Sequence, residues 1–394
     1  MQHPLSKKAS RARLKAIELA KLGRDMYRHF FDVYFLHRLA GGRIRNDLGA
    51  SFTSAHREGG RMIKTANPKG ESKLRDEIGW YLAFGKTPLS SHLPKIYSYS
   101  LKRGNVFLEM KYYAYPNLRK IIFNNMNAKF FIRLRLKHIL EVFLKHLYVE
   151  ENSRTAPRDF AKKSHFDKLR NRIRETMQMA PSLRNAITPE SLIINGKKHL
   201  NLALVIPAIE KDKKIISLLK PDRIYHSHGD LHSNNILCGI MHFDFILVDC
   251  RGRSPYGDLY FDPAYDIAKL YHDFHSFYSL IENHQYSISL RQEDKTVSIN
   301  YHFTNPDVRA RFEYWGKYID SLVKEKFRKF GNIEYRAEFT EAILYLTMVP
   351  FHLKKESESL MCYATGIVRL NEWLKKYHKP IYNRLMKEKP WKSK

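Results

Sequence analysis

Apolar residues recur at helical spacing between Glu71 and Phe84 (Leu74, Ile78, Tyr81, Leu82), which predicts one helix there. The flanking segments read differently. Arg61–Ala66 is a short strand pattern that Pro68-Lys69-Gly70 interrupts, and Leu93–Tyr97 and Val106–Met110 read as strands about a Lys102-Arg103-Gly104 turn. Gly41-Gly42 and Gly59-Gly60 mark further turns, so residues 41–112 are expected to be β-rich with one helix. From Pro116 onward helical spacing dominates, first in Asn117–Asn125 and Lys129–Tyr148, then in a basic, polar helical stretch over 151–185. Leu192–Gly196 reads as a short strand and turn, and Ile224–Asp249 as short strands around a polar loop. The remainder to about Tyr377 reads as helix, and the basic tail beyond it is expected to fray.

These segments give an α+β chain in four stretches: a basic helical extension (1–40), a small β-rich lobe (41–112), a larger helical lobe (113–373) that carries a basic insertion (151–220), and a basic tail (374–394). In the extension, the aromatics between Met26 and Leu39 are expected to pack on the main body, with an anionic membrane surface as the alternative.

Composition narrows the partners. The 394 residues carry 69 Lys and Arg against 40 Asp and Glu, a formal charge of +29, which attracts phosphates, nucleic acid or an acidic membrane and repels cations. Three cysteines exclude a disulfide framework and carry no zinc spacing; Cys238 and Cys250 read as small core residues rather than a redox pair. With no apolar run near the ~20 residues of a membrane span and no secretory signal, a cytoplasmic protein is expected, with peripheral membrane contact open to it.

The chemistry is concentrated in His226-Ser227-His228-Gly229-Asp230-Leu231-His232-Ser233-Asn234-Asn235-Ile236-Leu237, followed by the apolar strand that ends at Asp249. An Asp, an Asn in the same loop, a hairpin and a second Asp form the layout phosphoryl transfer requires: Asp230 to accept the proton of an attacking hydroxyl, Asn235 and Asp249 to hold Mg²⁺. A hairpin brings Asn235 and Asp249 together, and their oxygens suit a hard cation.

This stretch resembles the aminoglycoside phosphotransferase and choline kinase family, the small-molecule branch of the protein-kinase-like fold. The HGDLHxxNIL motif is matched by His228 to Leu237, with Cys250 as a departure beside Asp249. Downstream, Asp249-Cys250-Arg251-Gly252, Gly257-Asp258 and Tyr265-Asp266-Ile267-Ala268-Lys269-Leu270 look most like members from surface-polysaccharide gene clusters. The resemblance implies a two-lobe fold and an ATP- and Mg²⁺-dependent phosphotransferase. It implies that Asp266 braces the catalytic loop, with His228 positioning it. It puts Lys64 on the nucleotide phosphates with Glu77 as its partner (Glu71 competing), and a hinge at Glu109-Met110 whose backbone meets adenine. The loop Gly49-Ala50-Ser51-Phe52-Thr53-Ser54 has small and hydroxyl residues, Ser51 and Thr53 among them, whose backbone N–H groups could cap phosphates.

Three other readings compete. His226-x-His228-x-Asp230 is also the spacing of a zinc-dependent hydrolase, although it sits past mid-chain instead of on an early barrel strand. A non-catalytic kinase-like protein that binds nucleic acid is the second, with basic and aromatic residues interleaved over 112–150. A merely solvated basic surface is the third. The charge disfavours a cationic acceptor such as an aminoglycoside or choline and favours a sugar, glycan or lipid-linked saccharide hydroxyl.

Overall fold

The structure, a computed structural model, describes residues 53–126, 129–239, 244–293 and 296–387. The expected 1–40 extension, the loop from Gly49 through Ser51 to Phe52, and residues 388–394 of the tail lie outside them. The chain is α+β, with a small antiparallel sheet first and a mostly helical part after it.

The first sheet has strand order β1–β2–β4–β3, built from β1 (Thr53–Glu58), β2 (Arg61–Ala66), β3 (Ile96–Lys102) and β4 (Asn105–Lys111). Helix α1 (Glu71–Phe84) crosses from β2 to β3. Its apolar stripe of Leu74, Ile78 and Tyr81 packs against the inward face of β4, where Val106, Leu108 and Met110 alternate with outward residues. The register sets Lys64 opposite Leu108, so the period-2 alternation that buries Met62 buries Lys64 as well. A buried ammonium needs partners, and the site supplies them.

Beyond Lys111 the chain forms α2 (Leu118–Phe123), α3 (Lys129–His146), the short strand β5 (Ser153–Thr155) and α4 (Asp167–Met179). The hairpin β6 (Ser191–Ile194) and β7 (Lys197–Leu200) leads into α5 (Leu202–Lys211) and α6 (Lys213–Leu219). Strand β8 (Arg223–His226) is the middle of a three-stranded sheet, between β5 and β11 (Tyr260–Phe261), and the polar loop follows it directly. That loop runs into the antiparallel pair β9 (Ile236–Cys238) and β10 (Phe245–Leu247). Helix α7 (Pro263–Phe274) begins just after β11, N-capped by Asp262, whose side chain accepts from Ala264 N–H.

Two expectations fail here. The region after Asp249 is not all helix: β12 (Tyr286–Glu293) and β13 (Thr296–Phe303) form a hairpin, and β13 pairs in parallel with β6 to make a four-stranded sheet. Tyr286, Ile288 and Leu290 alternate with polar residues, a period-2 signal that a helical reading overrides. Helices α8 (Pro306–Lys326), α9 (Ile333–Met348) and α10 (Glu356–Tyr377) follow. Nor does the tail fray at once. Helix α11 (Lys379–Lys387) buries Leu385 against the second apolar cluster, with Ile381, Tyr382 and Met386 beside it, a stripe hidden among the tail's basic residues.

Among the described residues no helix is long and apolar enough to cross a membrane. One apolar cluster runs without a break from the first sheet and α1 through β9, β10 and α7, so the loop between β8 and β9 rests on a shared core. The second cluster packs α5, α6, α9 and α10 away from that loop.

Burial also sets a pH response. His165, His228 and His272 are buried, and burial lowers each pKa: to about 3 for His165, to about 4 for His228, and well below the usual value for His272. An unfolded chain takes up protons at these rings from about pH 6.5 downward while the folded chain does not, so stability is present above that pH and is lost below it. Asp266 acts in the opposite sense, because burial raises its pKa to about 6 against its hydrogen-bond donors. The lowered rings, His92, His199 and His226 among the others, outnumber the raised carboxyls, so stability is expected to fall between pH 6.5 and 5. Denaturant unfolding at the two pH values checks this, and equal or greater stability at pH 5 contradicts it.

Candidate functional site

Lys64 ends on two carboxylates. Its Nζ lies 2.7 Å from Glu77 Oε1 and also pairs with Asp249 Oδ1, joining β2, α1 and the end of the β9–β10 hairpin in one ion cluster. Burial works against the charged ammonium, but Asp249 and Glu77 outweigh it and raise the pKa. Glu71, the competing partner, points elsewhere: it accepts from Arg75 Nη2 (2.8 Å) and from Gly104 N–H (2.7 Å), tying the first turn of α1 to the β3–β4 turn. Asp249 has a left-handed backbone (φ +56°), a conformation Asp tolerates better than most residues, and its N–H donates to Tyr81 Oη (3.1 Å).

The loop between β8 and β9 is fixed from below by α7. Asp266 accepts from His228 N–H (3.0 Å), Gly229 N–H (2.7 Å) and Tyr148 O–H (2.7 Å). Seven residues on, Asp273 accepts from Ser233 N–H (2.8 Å) and from the hydroxyls of Ser233 and Ser279. Between them on α7, Lys269 Nζ lies 2.7 Å from Asp230 Oδ1. Residues at i, i+3 and i+7 share a helix face, so α7 presents two acceptors and one cation to the loop. His228 is locked as well: Asp230 N–H donates to its Nδ1 (3.2 Å), and its Nε2–H donates to Val248 C=O (3.1 Å), which assigns the neutral tautomer.

Asp230 is half-buried. Burial favours its neutral form, but Lys269 and His232 outweigh that and hold the carboxyl far below the usual carboxylate range. Asn235 donates through Nδ2 to the Asp230 carbonyl (2.9 Å), and its Oδ1 makes no hydrogen bond among the described residues. The β9–β10 register pairs Ile236 with Leu247, and Val248 N–H donates to Asn235 C=O (3.0 Å), so Asn235 and Asp249 sit at the same end of the hairpin. A free amide oxygen beside a carboxylate is a donor set that could hold a hard divalent cation.

Above these groups a cleft opens, with Met62, Met110 and Tyr112 on the sheet side and Leu237, Val248 and Asp249 below. Lys64 lines it too, so a flat apolar slot ends at an ammonium and a carboxylate. Met110, half of the expected hinge, lines the cleft. The Glu109 side chain does not line it: on a strand the next residue faces the other way, and its carboxylate pairs with Arg61 Nη1 (2.5 Å) and accepts from the Ser98 hydroxyl on the outer face. The residues after Met110 (Lys111, Tyr112, Tyr113) line the cleft instead. Thr53 is the first residue of β1, paired with Ala66, and does not line the cleft.

His226 packs edge-on to Phe84 and against Tyr260, and His228 is committed to backbone groups. The two rings therefore do not converge as a metal pair, and among the described residues no group of three or more His, Cys, Asp or Glu is placed to hold a metal. Cys238 and Cys250 are buried, and burial raises both thiol pKa values, the behaviour of core residues.

The two parts of the chain also touch tightly. Trp80 Nε1–H donates to Ser227 C=O (2.8 Å). A side-chain carbon at Gly252 would lie 1.6 Å from the Asp76 carbonyl oxygen, so only glycine lets the segment after Asp249 pass beneath α1. Gly252→Ala is expected to lower the melting temperature and to displace α1, and with it Glu77, from Lys64. Thermal unfolding plus a ligand titration checks this; a variant indistinguishable from wild type in both contradicts the close approach.

Sequence reasoning missed Lys269 and Asp273 as members of the site. The signal was available as an i, i+3, i+7 polar row, 266–269–273, on a helix otherwise rich in apolar residues. A scan against protein-family models returns no match for the chain, and a search of curated proteins returns no significant match.

Proposed function

We propose that this chain is an ATP- and Mg²⁺-dependent phosphotransferase with a protein-kinase-like two-lobe fold, acting on an alcohol hydroxyl of a small molecule or glycan. The observation that carries it is the convergence of Lys64, Glu77 and Asp249 at the inner end of an apolar cleft, with Asp230 and Asn235 on the loop just below. The sheet order β1–β2–β4–β3 with α1 crossing it supports the same reading.

In this reading the adenine lies between Met62 and Leu237 against the backbone after Met110, and Lys64 meets the phosphates while Glu77 holds its ammonium in place. Asn235 and Asp249 would hold Mg²⁺, which supplies charge neutralisation at the phosphate oxygens. Asp230 accepts a hydrogen bond from the acceptor hydroxyl and takes its proton as the oxygen bonds to the γ-phosphorus; the bond from that phosphorus to the β,γ-bridging oxygen breaks, and ADP leaves. Because Lys269 keeps Asp230 ionised, the carboxylate serves chiefly to orient the hydroxyl and collects the proton late. Asp266 and Asp273 keep the loop rigid, so the carboxylate needs no rearrangement at the moment of transfer.

The test is a phosphotransfer screen with γ-labelled ATP and Mg²⁺ across sugars and glycolipids. Label appearing on a saccharide hydroxyl supports the proposal. Absence of both Mg-ATP binding and label transfer rejects it.

A further inference from the structure

A second, small cleft lies behind the loop, between the first turn of α4, the segment after Asp249 and the start of α7. Its lining is aromatic (Phe160, Tyr256, Tyr260, Phe261), and Lys168, Arg251 and Tyr265 project into it. Arg251 Nη1 donates to Tyr265 Oη (2.6 Å), and Tyr265 stands one helical turn before Lys269, the partner of Asp230. The cleft is thus joined to the candidate base by a chain of contacts.

The charges there do not balance. Three cations gather at one end: Lys168, Arg251 and Lys269. Asp230 answers Lys269. Asp262, the acidic residue in the lining, is already taken by Arg336 through two hydrogen bonds (2.6 and 3.2 Å). Asp76, the next acid near Arg251, pairs with Arg253 at 3.3 Å. Lys168 and Arg251 are left facing a neutral phenol, and half-buried cations without a counter-charge are costly unless an anion joins them. The excess shows in the neighbours: burial and the surrounding cations lower Lys168 to about 8, and those same cations overcome burial to lower the Tyr265 hydroxyl to about 8.

We propose that this cleft is the acceptor subsite and that it takes a sugar bearing its own acidic group, a carboxylate or a phosphate monoester. The inference rests on the phosphotransferase reading for the word acceptor, but the anion preference stands on the cleft alone. Lys168 and Arg251 bind the acidic group, the aromatic lining packs the apolar face of the ring, and a hydroxyl on the far side of the sugar points toward Asp230.

The test is calorimetric titration of the full chain with galactose, galacturonate, galactose 1-phosphate and inorganic phosphate, each with and without Mg²⁺ and a non-hydrolysable ATP analogue. One or both acidic sugars should bind at least about tenfold tighter than galactose, the worth of one charge-assisted contact. The two acidic arms tell carboxylate from phosphate. Lys168→Gln should remove the preference and Lys168→Arg should keep it, with melting temperatures establishing that both variants fold. Equal affinity for neutral and acidic sugars, no binding by any of them at millimolar concentration, or inorganic phosphate binding as well as galactose 1-phosphate overturns the proposal. If the nucleotide analogue fails to bind while the acidic preference holds, the phosphotransferase reading falls and the anion subsite remains.

Discussion

Asp230→Asn should reduce phosphotransfer by about 10²- to 10⁴-fold, the usual contribution of a positioned acid–base group, while Mg-ATP affinity stays within a few-fold of wild type. Asparagine keeps the shape and can still accept from Lys269, so the loop geometry held by Asp266 and Asp273 survives. What disappears is the negative charge, and with it both the proton acceptor and the counter-charge of Lys269. Because Asp230 lies below the cleft and does not line it, nucleotide binding is spared. Turnover within tenfold of wild type would remove Asp230 from the chemistry.

Asp249→Asn should fail in the opposite way. Its carboxylate both pairs with Lys64 and lies in the cleft wall, so its loss removes a candidate cation ligand and half the counter-charge of a lysine only 2% exposed. The expected result is a fall in Mg-ATP affinity of about 100-fold or more, the scale on which metal-site substitutions act, with a much smaller change for ATP without Mg²⁺. Titrations of both variants side by side give a clean contrast, one losing turnover and the other losing metal-dependent binding. If both variants lost binding equally, the division of roles between loop and hairpin end would be wrong.

The parts of this site that could be read from the sequence are local. Asp230 and Asn235 lie in one loop, and the hairpin that returns to Asp249 follows from a short apolar strand on each side of a turn. Lys64 could be joined to Glu77 and to Asp249 only through a resemblance, because 13 and 185 residues separate it from them and strand alternation alone does not say what a buried lysine meets. The Glu109 carboxylate faces away from the cleft because β4 turns alternate side chains to opposite faces, and composition does not reveal which face is buried. The β12–β13 hairpin was lost to the helical spacing around it. The second cleft was invisible for a different reason. Lys168, Arg251 and Tyr265 come from three separate elements, and a basic residue in a chain of +29 carries no local mark of whether an acid answers it.

The most direct measurement is a crystal structure of the full chain with Mn²⁺ and a non-hydrolysable ATP analogue, the metal located by its anomalous signal. An anomalous peak about 2.2 Å from both Asn235 Oδ1 and an Asp249 carboxylate oxygen, with phosphate oxygens on its other side and Lys64 beside them, is the expected result. A nucleotide bound elsewhere, or a metal that touches neither residue, would contradict the central claim.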